Sequence, residues 1–128
     1  MSGNDLNGAS IGQIAIVVQD VDRAVAFYRD SLGLPLLFQA PPGLAFFQAG
    51  ATRLMLSRPE QAEFDHPASI LYFKVDDVEV THRQLSGRGV EFVDQPHVVH
   101  RTDQMELWMT FFKDGEGNTF ALMAERGR

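Results

Sequence analysis

Histidine is the first side chain to weigh for chemistry, because imidazole titrates near neutrality and ligates metals. The chain has four. His97 and His100 lie in Pro96-His-Val-Val-His-Arg101. In a regular strand, residues three apart point to opposite faces, so the two do not share a metal there. A loop over the same residues would bring them together, with Glu106 or Asp103 completing a ligand set. His66, beside Pro67, reads as an exposed linker residue. His82 falls on the apolar stripe of a helix and reads as a packed histidine with one ring nitrogen satisfied. Arg53, Tyr72 and Lys74 are the other polar candidates. Arg53 can hold a carboxylate or phosphate group. Tyr72 can donate a hydrogen bond, or act as an acid if its pKa is lowered. The blander reading leaves Arg53 and Lys74 in solvent at the rim of a cleft. Cysteine is absent, which excludes disulfides, thiolate metal sites and cysteine nucleophiles. No glycine-rich phosphate loop follows a strand, and no serine stands on a nucleophile elbow.

These side chains must be positioned by elements that the periodicity marks out. From Gln13 to Gln19, Ile14, Ile16 and Val18 alternate with Gln13, Ala15, Val17 and Gln19, the period of a strand with one strongly apolar face. Asp20 is a helix N-cap rather than a catalytic acid. The helix after it places Val21, Val25, Tyr28 and Leu32 on one stripe, ended by Gly33 and Pro35. Strands follow at Leu36–Gln39, Leu44–Gln48 and Thr52–Ser57, separated by Pro41-Pro-Gly43 and Ala49-Gly-Ala51. A polar, aperiodic linker leads to a second set. There Ile70–Val75 is a strand, Asp76 or Asp77 caps a helix with inner residues Val78, His82 and Leu85, and Val90–Val93 is a strand. His97–Arg101 begins another, and Leu107–Phe112 and Thr119–Met123 are the last two, joined by the turn Lys113-Asp-Gly-Glu-Gly-Asn118. The two sets repeat: Asp20 and Asp77, and Val21 and Val78, both stand 57 residues apart.

Two βαβββ modules in one chain define an α+β fold. Each helix covers one face of a sheet and leaves the other free, so a curved mixed sheet wraps a cleft with its helices outside. The expected organisation is a flexible tail over residues 1–10 and a single domain over 11–125. Within it, module one spans 11–57, the linker 58–69 and module two 70–125. A length of 128 residues suffices for one buried core. A net charge of −6 repels phosphate and argues against a nucleic-acid partner. No apolar run approaches the ~20 residues of a membrane span, and the N-terminus lacks the basic start of a signal peptide. The expectation is a cytoplasmic protein.

The duplicated modules, the phrase Ala26-Phe-Tyr-Arg-Asp-Ser-Leu-Gly-Leu34 and the closing Phe112-Lys-Asp-Gly-Glu-Gly-Asn-Thr119 resemble the vicinal oxygen chelate superfamily. That superfamily contains glyoxalase I, extradiol dioxygenases, fosfomycin-resistance proteins and bleomycin-resistance binding proteins. The resemblance covers about residues 11–125. It implies metal ligands on four strands, where the family commonly has His, Glu, His and Glu. This chain has Gln13, Met55, Ile70 and Ala121 at those places. The resemblance also implies proline where Gly115 stands, a departure expected to alter turn stiffness. Divalent metals need several carboxylate, imidazole or water donors, and of the four only Gln13 offers an oxygen. No metal or other cofactor is expected, and so neither is Lewis-acid chemistry.

The cleft expected from strand alternation is apolar and aromatic with a few polar tips, the character of a small-molecule pocket. Its expected ligand-binding residues are Gln13, Ala15, Arg53, Met55, Ile70, Tyr72, Met109, Phe111 and Ala121. The family resemblance turns Leu107, Met109 and Phe111 to the cleft, whereas a one-residue slip would present Trp108 and Phe112. The leading expectation is metal-free binding of a small organic ligand by a homodimer, like the bleomycin-resistance proteins that sequester rather than transform. The alternative is an enzyme (a lyase, isomerase or dioxygenase) that uses relocated ligands His97, His100 and Glu106, or metal-free chemistry at Tyr72, Lys74 or Arg53. The same cleft filled by its own side chains would instead make the chain an interaction module.

Overall fold

The computed structural model describes residues 7–40, 43–58 and 69–127. The first six residues of the expected tail and most of the linker, His66 included, lie outside them. Strand β1 (Gln13–Val17) turns Ile14 and Ile16 to the interior, and Val18 just beyond it is fully buried. Asp20 takes an extended conformation and its carboxylate accepts from Arg23 N at 3.0 Å, capping α1 (Val21–Ala26). The stripe read as one helix then changes geometry. Residues Phe27–Ser31 form a π-helical turn, with Leu32 N donating to Phe27 O at 3.0 Å. The added residue widens the coil. Tyr28 is wholly buried within this turn, and Gly33, at φ +78°, ends the run.

Strands β2 (Leu36–Ala40), β3 (Leu44–Ala49) and β4 (Thr52–Ser57) complete the first sheet, in the order β1-β4-β3-β2 with β1 parallel to β4. A bulge at Leu37 pairs Leu36 with Phe47 but Phe38 with Phe46. Module two follows with β5 (Tyr72–Lys74) and α2 (Val78–Gly87), capped by Asp77, whose carboxylate accepts from Val80 N at 3.1 Å. Strand β5 is shorter than its apolar run, and Ile70 lies outside it. Strands β6 (Glu91–Phe92), β7 (His97–Arg101), β8 (Met105–Lys113) and β9 (Thr119–Gly127) finish the chain. The second sheet runs β5-β9-β8-β6, with β7 also on β8. Strands β6 and β7 share one edge of β8. Between them the Asp94 carboxylate accepts from Phe111 N at 2.9 Å and Thr110 Oγ1 at 2.7 Å, so a side chain fills the break in the ladder.

The architecture is α+β, with mixed sheets and two α-helices among the described residues, as the repeat implied. The two sheets are hydrogen-bonded as separate units, and their helix-covered faces share one core. Tyr28 joins them, its ring centroid 5.8 Å from Phe47 in the first sheet and 6.4 Å from Phe120 in the second. The turn after β8 clamps the modules from one side. The buried Asp114 carboxylate accepts from Tyr28 OH at 2.8 Å, Glu116 N at 2.7 Å, Asn118 N at 3.1 Å and Asn118 Nδ2 at 2.7 Å. Glu116 accepts from Gln19 N at 2.7 Å and pairs with Arg23 at 2.6 Å. Asn118 also donates to Val17 O at 3.2 Å. Gly115, at φ +81°, occupies a conformation closed to proline, so the proline the resemblance implied would need a differently shaped turn here. No helix among the described residues is long and apolar enough to cross a membrane.

Candidate functional site

Each sheet has one face packed on the shared core and one face open, and register identifies the open rows. On the first sheet Gln13 pairs with Arg53 and Arg53 with Gln48; in the next row Ala15 pairs with Met55, Met55 with Phe46 and Phe46 with Phe38. These residues form a connected group. Arg53 Nε donates to Gln13 Oε1 at 2.8 Å, and Gln13 Nε2 lies 3.7 Å from Met55 Sδ. The Arg53 guanidinium stands over the Phe46 ring at 5.1 Å, and Phe46 stacks on Phe38 with centroids 4.5 Å apart and planes 25° apart.

On the second sheet, the open rows are Tyr72–Ala121–Phe111 and Lys74–Met123–Met109–His97. Tyr72 meets Phe111 edge to face at 6.0 Å. The register puts Leu107, Met109 and Phe111 on the open side. Phe112 is buried in the core, and Trp108 packs against that core with Arg126 4.1 Å from its ring. Ile70 is exposed and precedes the strand, so it takes no place in these rows.

The places where the family resemblance implied metal ligands do not make a metal site. Met55, Ile70 and Ala121 carry no hard donor, and the one oxygen among the four, Gln13 Oε1, already accepts from a guanidinium. A cation there would sit beside the positive charge of Arg53. The relocated set fares differently from its sequence reading. A bulge between Val98 and His100 inserts one residue, so His97 pairs with Met109 and His100 with Leu107. The two histidines therefore share a face rather than opposing each other. Glu106 lies in the alternate register, pairs with Arg101 at 2.8 Å and accepts from Trp108 Nε1 at 3.1 Å. His97, His100 and Glu106 are thus not assembled, and no cluster of three His, Asp or Glu fit for a metal exists among the described residues. His82 stacks on Phe92 at 4.2 Å, and its buried Nε2 has no hydrogen-bond partner among the described residues.

The buried residues of both sheets belong to one core cluster, and each open face lies on the side of its sheet away from that core. A cavity of about 640 Å³ opens on the helix side between the modules, lined by Ile14, Leu34, Leu54, Phe73, Phe112 and Leu122. Of the expected polar residues, Tyr72 and Lys74 reach its wall. Gln13, Ala15, Arg53 and Met55 belong together on the first sheet; Tyr72, Met109, Phe111 and Ala121 belong together on the second.

Two features escaped the sequence reading. Phe38 and Phe46 form the aromatic floor beside Arg53. Alternation alone would have sent Phe46 to the open face, but the bulge at Leu37 hid the matching orientation of Phe38. Asp114, Glu116 and Asn118 read only as turn formers, yet their side chains tie the modules together. Their density of acceptors in a turn was the available signal.

The comparisons with known proteins agree with this architecture. The family model "Glyoxalase/Bleomycin resistance protein/Dioxygenase superfamily" matches residues 10–122. An uncharacterised protein of Bacillus subtilis (strain 168), YetH, is 34% identical over 126 residues, covering 88% of this chain and 95% of the relative. YraH of the same organism, also uncharacterised, is 35% identical over 98 residues, or 66% of this chain and 77% of the relative. Among solved structures, lactoylglutathione lyase from Agrobacterium tumefaciens superposes with a TM-score of 0.72 at 25% identity, over 91% of this chain and 93% of that one. A superfamily member from Sphaerobacter thermophilus DSM 20745 shares the fold with a TM-score of 0.74 at 22% identity, over 91% and 97% of the two chains. With a family match over nearly its whole length and the duplicated module in its fold, the chain belongs to the glyoxalase/bleomycin resistance protein/dioxygenase superfamily.

Proposed function

We propose that the chain binds a small, partly apolar or planar organic molecule, without a metal, on its open sheet faces. The observation that carries this reading is the Gln13–Arg53 bond. The position where the superfamily would place its first ligand is committed to a guanidinium, beside a thioether and a methyl side chain. What surrounds it is aromatic and apolar, and suits an organic body better than an ion.

The cleft in this reading is closed by two copies of the chain. Within one protomer both sheets are anchored to a common core by Tyr28 and by the clamp turn, so their outer faces are left for a partner copy to cover. A homodimer that apposes the first sheet of one protomer with the second sheet of its partner would enclose exposed Phe38 and Tyr72 in one cleft, with the ligand between them. The acidic net charge supports a small molecule, rather than nucleic acid, as the partner. A cytoplasmic location fits the absence of cysteine.

Elemental analysis and a neutral dye test the reading. Protein purified without chelator should carry far less than one divalent metal per chain, migrate as a dimer, and bind N-phenyl-1-naphthylamine with a rise in dye fluorescence. Replacing Met55 with Asp should weaken dye binding by putting a charge on the apolar row. A stoichiometric, tightly held metal would overturn the metal-free assignment. A dye affinity that Met55→Asp leaves unchanged would remove the open face from it.

A further inference from the structure

We infer that the first sheet's open face is a receptor for an aromatic carboxylate, with Arg53 holding the anion and Phe38 and Phe46 the ring. The inference rests on the proposed binding role and names the ligand class for it.

The charge of Arg53 is unspent. Arg23, Arg29, Arg101 and Arg126 are each paired with a carboxylate at 2.6–2.8 Å. Arg53 is instead latched by a neutral amide, Gln13, which accepts from Nε; among the described residues both terminal nitrogens are left for another acceptor. Gln13 is itself steadied by Met55, with Nε2 3.7 Å from the sulfur. The position thus fixes the plane of a guanidinium without neutralising it. A carboxylate at the superfamily's usual ligand position would cancel that charge; an amide does not.

The orientation is set from below as well. The guanidinium stands over the Phe46 ring, with Cζ 5.1 Å from its centroid, so the ring gives it a second contact besides Gln13. Phe46 is almost fully covered, while its stacking partner Phe38 remains 49% exposed. A flat apolar ring on the Phe38 side has an aromatic surface to cover, and its carboxylate has a planar fork within reach. Arginine matches a carboxylate with two parallel hydrogen bonds. A single fork in an acidic protein suits a monoanion, with two oxygens for its two parallel donors.

Three probes separate this inference from the role it rests on: 1-naphthoate, its neutral counterpart 1-naphthamide, and N-phenyl-1-naphthylamine. Calorimetric titration of the full chain should show naphthoate binding about tenfold or more tighter than naphthamide. Raised salt should narrow the gap. Arg53→Gln should abolish the preference for naphthoate over naphthamide, and Arg53→Lys should restore only part of it, because an ammonium keeps the charge but not the fork. Gln13→Ala should lower naphthoate affinity by freeing the guanidinium. Equal affinities of the wild-type protein for naphthoate and naphthamide, with the neutral dye still bound, would overturn the carboxylate assignment and leave the binding role standing. If the neutral dye fails to bind as well, the binding role fails with it. The wild-type comparison needs no variant to fold, so a destabilised Arg53→Gln cannot obscure the result.

Discussion

The bond between Tyr28 and Asp114 should be a principal tie between the two modules, and its worth can be worked out from its surroundings. Tyr28→Phe keeps the ring against Phe47 and Phe120 and removes only the hydroxyl that donates to Asp114 at 2.8 Å. Hydrogen bonds to a charged partner contribute about 1.5–3 kcal/mol. Asp114 retains three donors after the change, from Glu116 N and from the backbone and side chain of Asn118, so its charge is not left bare. The loss should therefore fall at the low end, about 1.5 kcal/mol. Asp114→Ala is different in kind. It takes the acceptor from the buried Tyr28 hydroxyl and removes the bonds that hold Glu116 N and Asn118 N in the turn, and should cost about 3–5 kcal/mol. For a domain of this length, 1 kcal/mol corresponds to roughly 4 °C in Tm, giving shifts of about 6 °C and 12–20 °C. Urea unfolding followed through Trp108, the single tryptophan, measures both. The double variant should recover a coupling of about 1–2 kcal/mol, the signature of a direct pair. Tyr72→Phe, on the open face, is the control and should change stability by less than about 0.5 kcal/mol. A Tyr28→Phe cost as small as that control, with no coupling to Asp114, would refute the clamp.

Three further outcomes follow from the same coordinates. Burial, then the neighbouring Asp114 carboxylate, holds the Tyr28 phenol far above its ordinary value near 10, so the native state keeps a proton that the unfolded chain releases. The Tyr28 contribution to stability should be constant below about pH 10 and then fall by about 1.4 kcal/mol per pH unit, and Tyr28→Phe should remove that part of the slope in alkaline urea titrations. Gly115→Pro imposes φ near −65° where the turn needs +81°. It should lower Tm by several degrees, whereas Gly87→Ala, in a helix with open space around the added methyl, should not. Treatment with a chelator should leave Tm and dye binding unchanged, because no cluster of metal donors exists among the described residues; a Tm drop after chelation would point to a site formed elsewhere.

Much of the fold was legible because its signals are local. Asp20 and Asp77 each precede an apolar stripe, and both prove to be N-caps, since a short carboxylate in an extended conformation reaches the amide three residues on. The sequence left Asp76 and Asp77 as alternatives, and the geometry of Val80 N selects Asp77. Alternation in β1 and β4 identified the open faces, because side chains reverse at every residue of a strand. Where one residue is inserted, that rule breaks. The bulge in β7 puts His97 and His100 on one face, and the bulge in β2 turns Phe38 toward Phe46. The π-helical turn at Phe27–Ser31 is the helical counterpart of the same event. An insertion of this kind is a compromise with packing partners, and period 2 or 3.6 carries no trace of it.

The candidate site divides along the same line. Residue types settled that Met55, Ile70 and Ala121 bring no side-chain oxygen or nitrogen donor to the places where metal ligands were implied, whatever the fold. The chain's repeat and its strand periods likewise settled two modules, each with one apolar face to bury. Only the tertiary structure decided that the buried faces meet around Tyr28 and that Gln13 spends its oxygen on Arg53. The physical reason is range. Backbone periods and donor chemistry are properties of neighbours in sequence, whereas the choice of which apolar faces associate, and which amide meets which guanidinium, is made between residues about 40 to 90 positions apart.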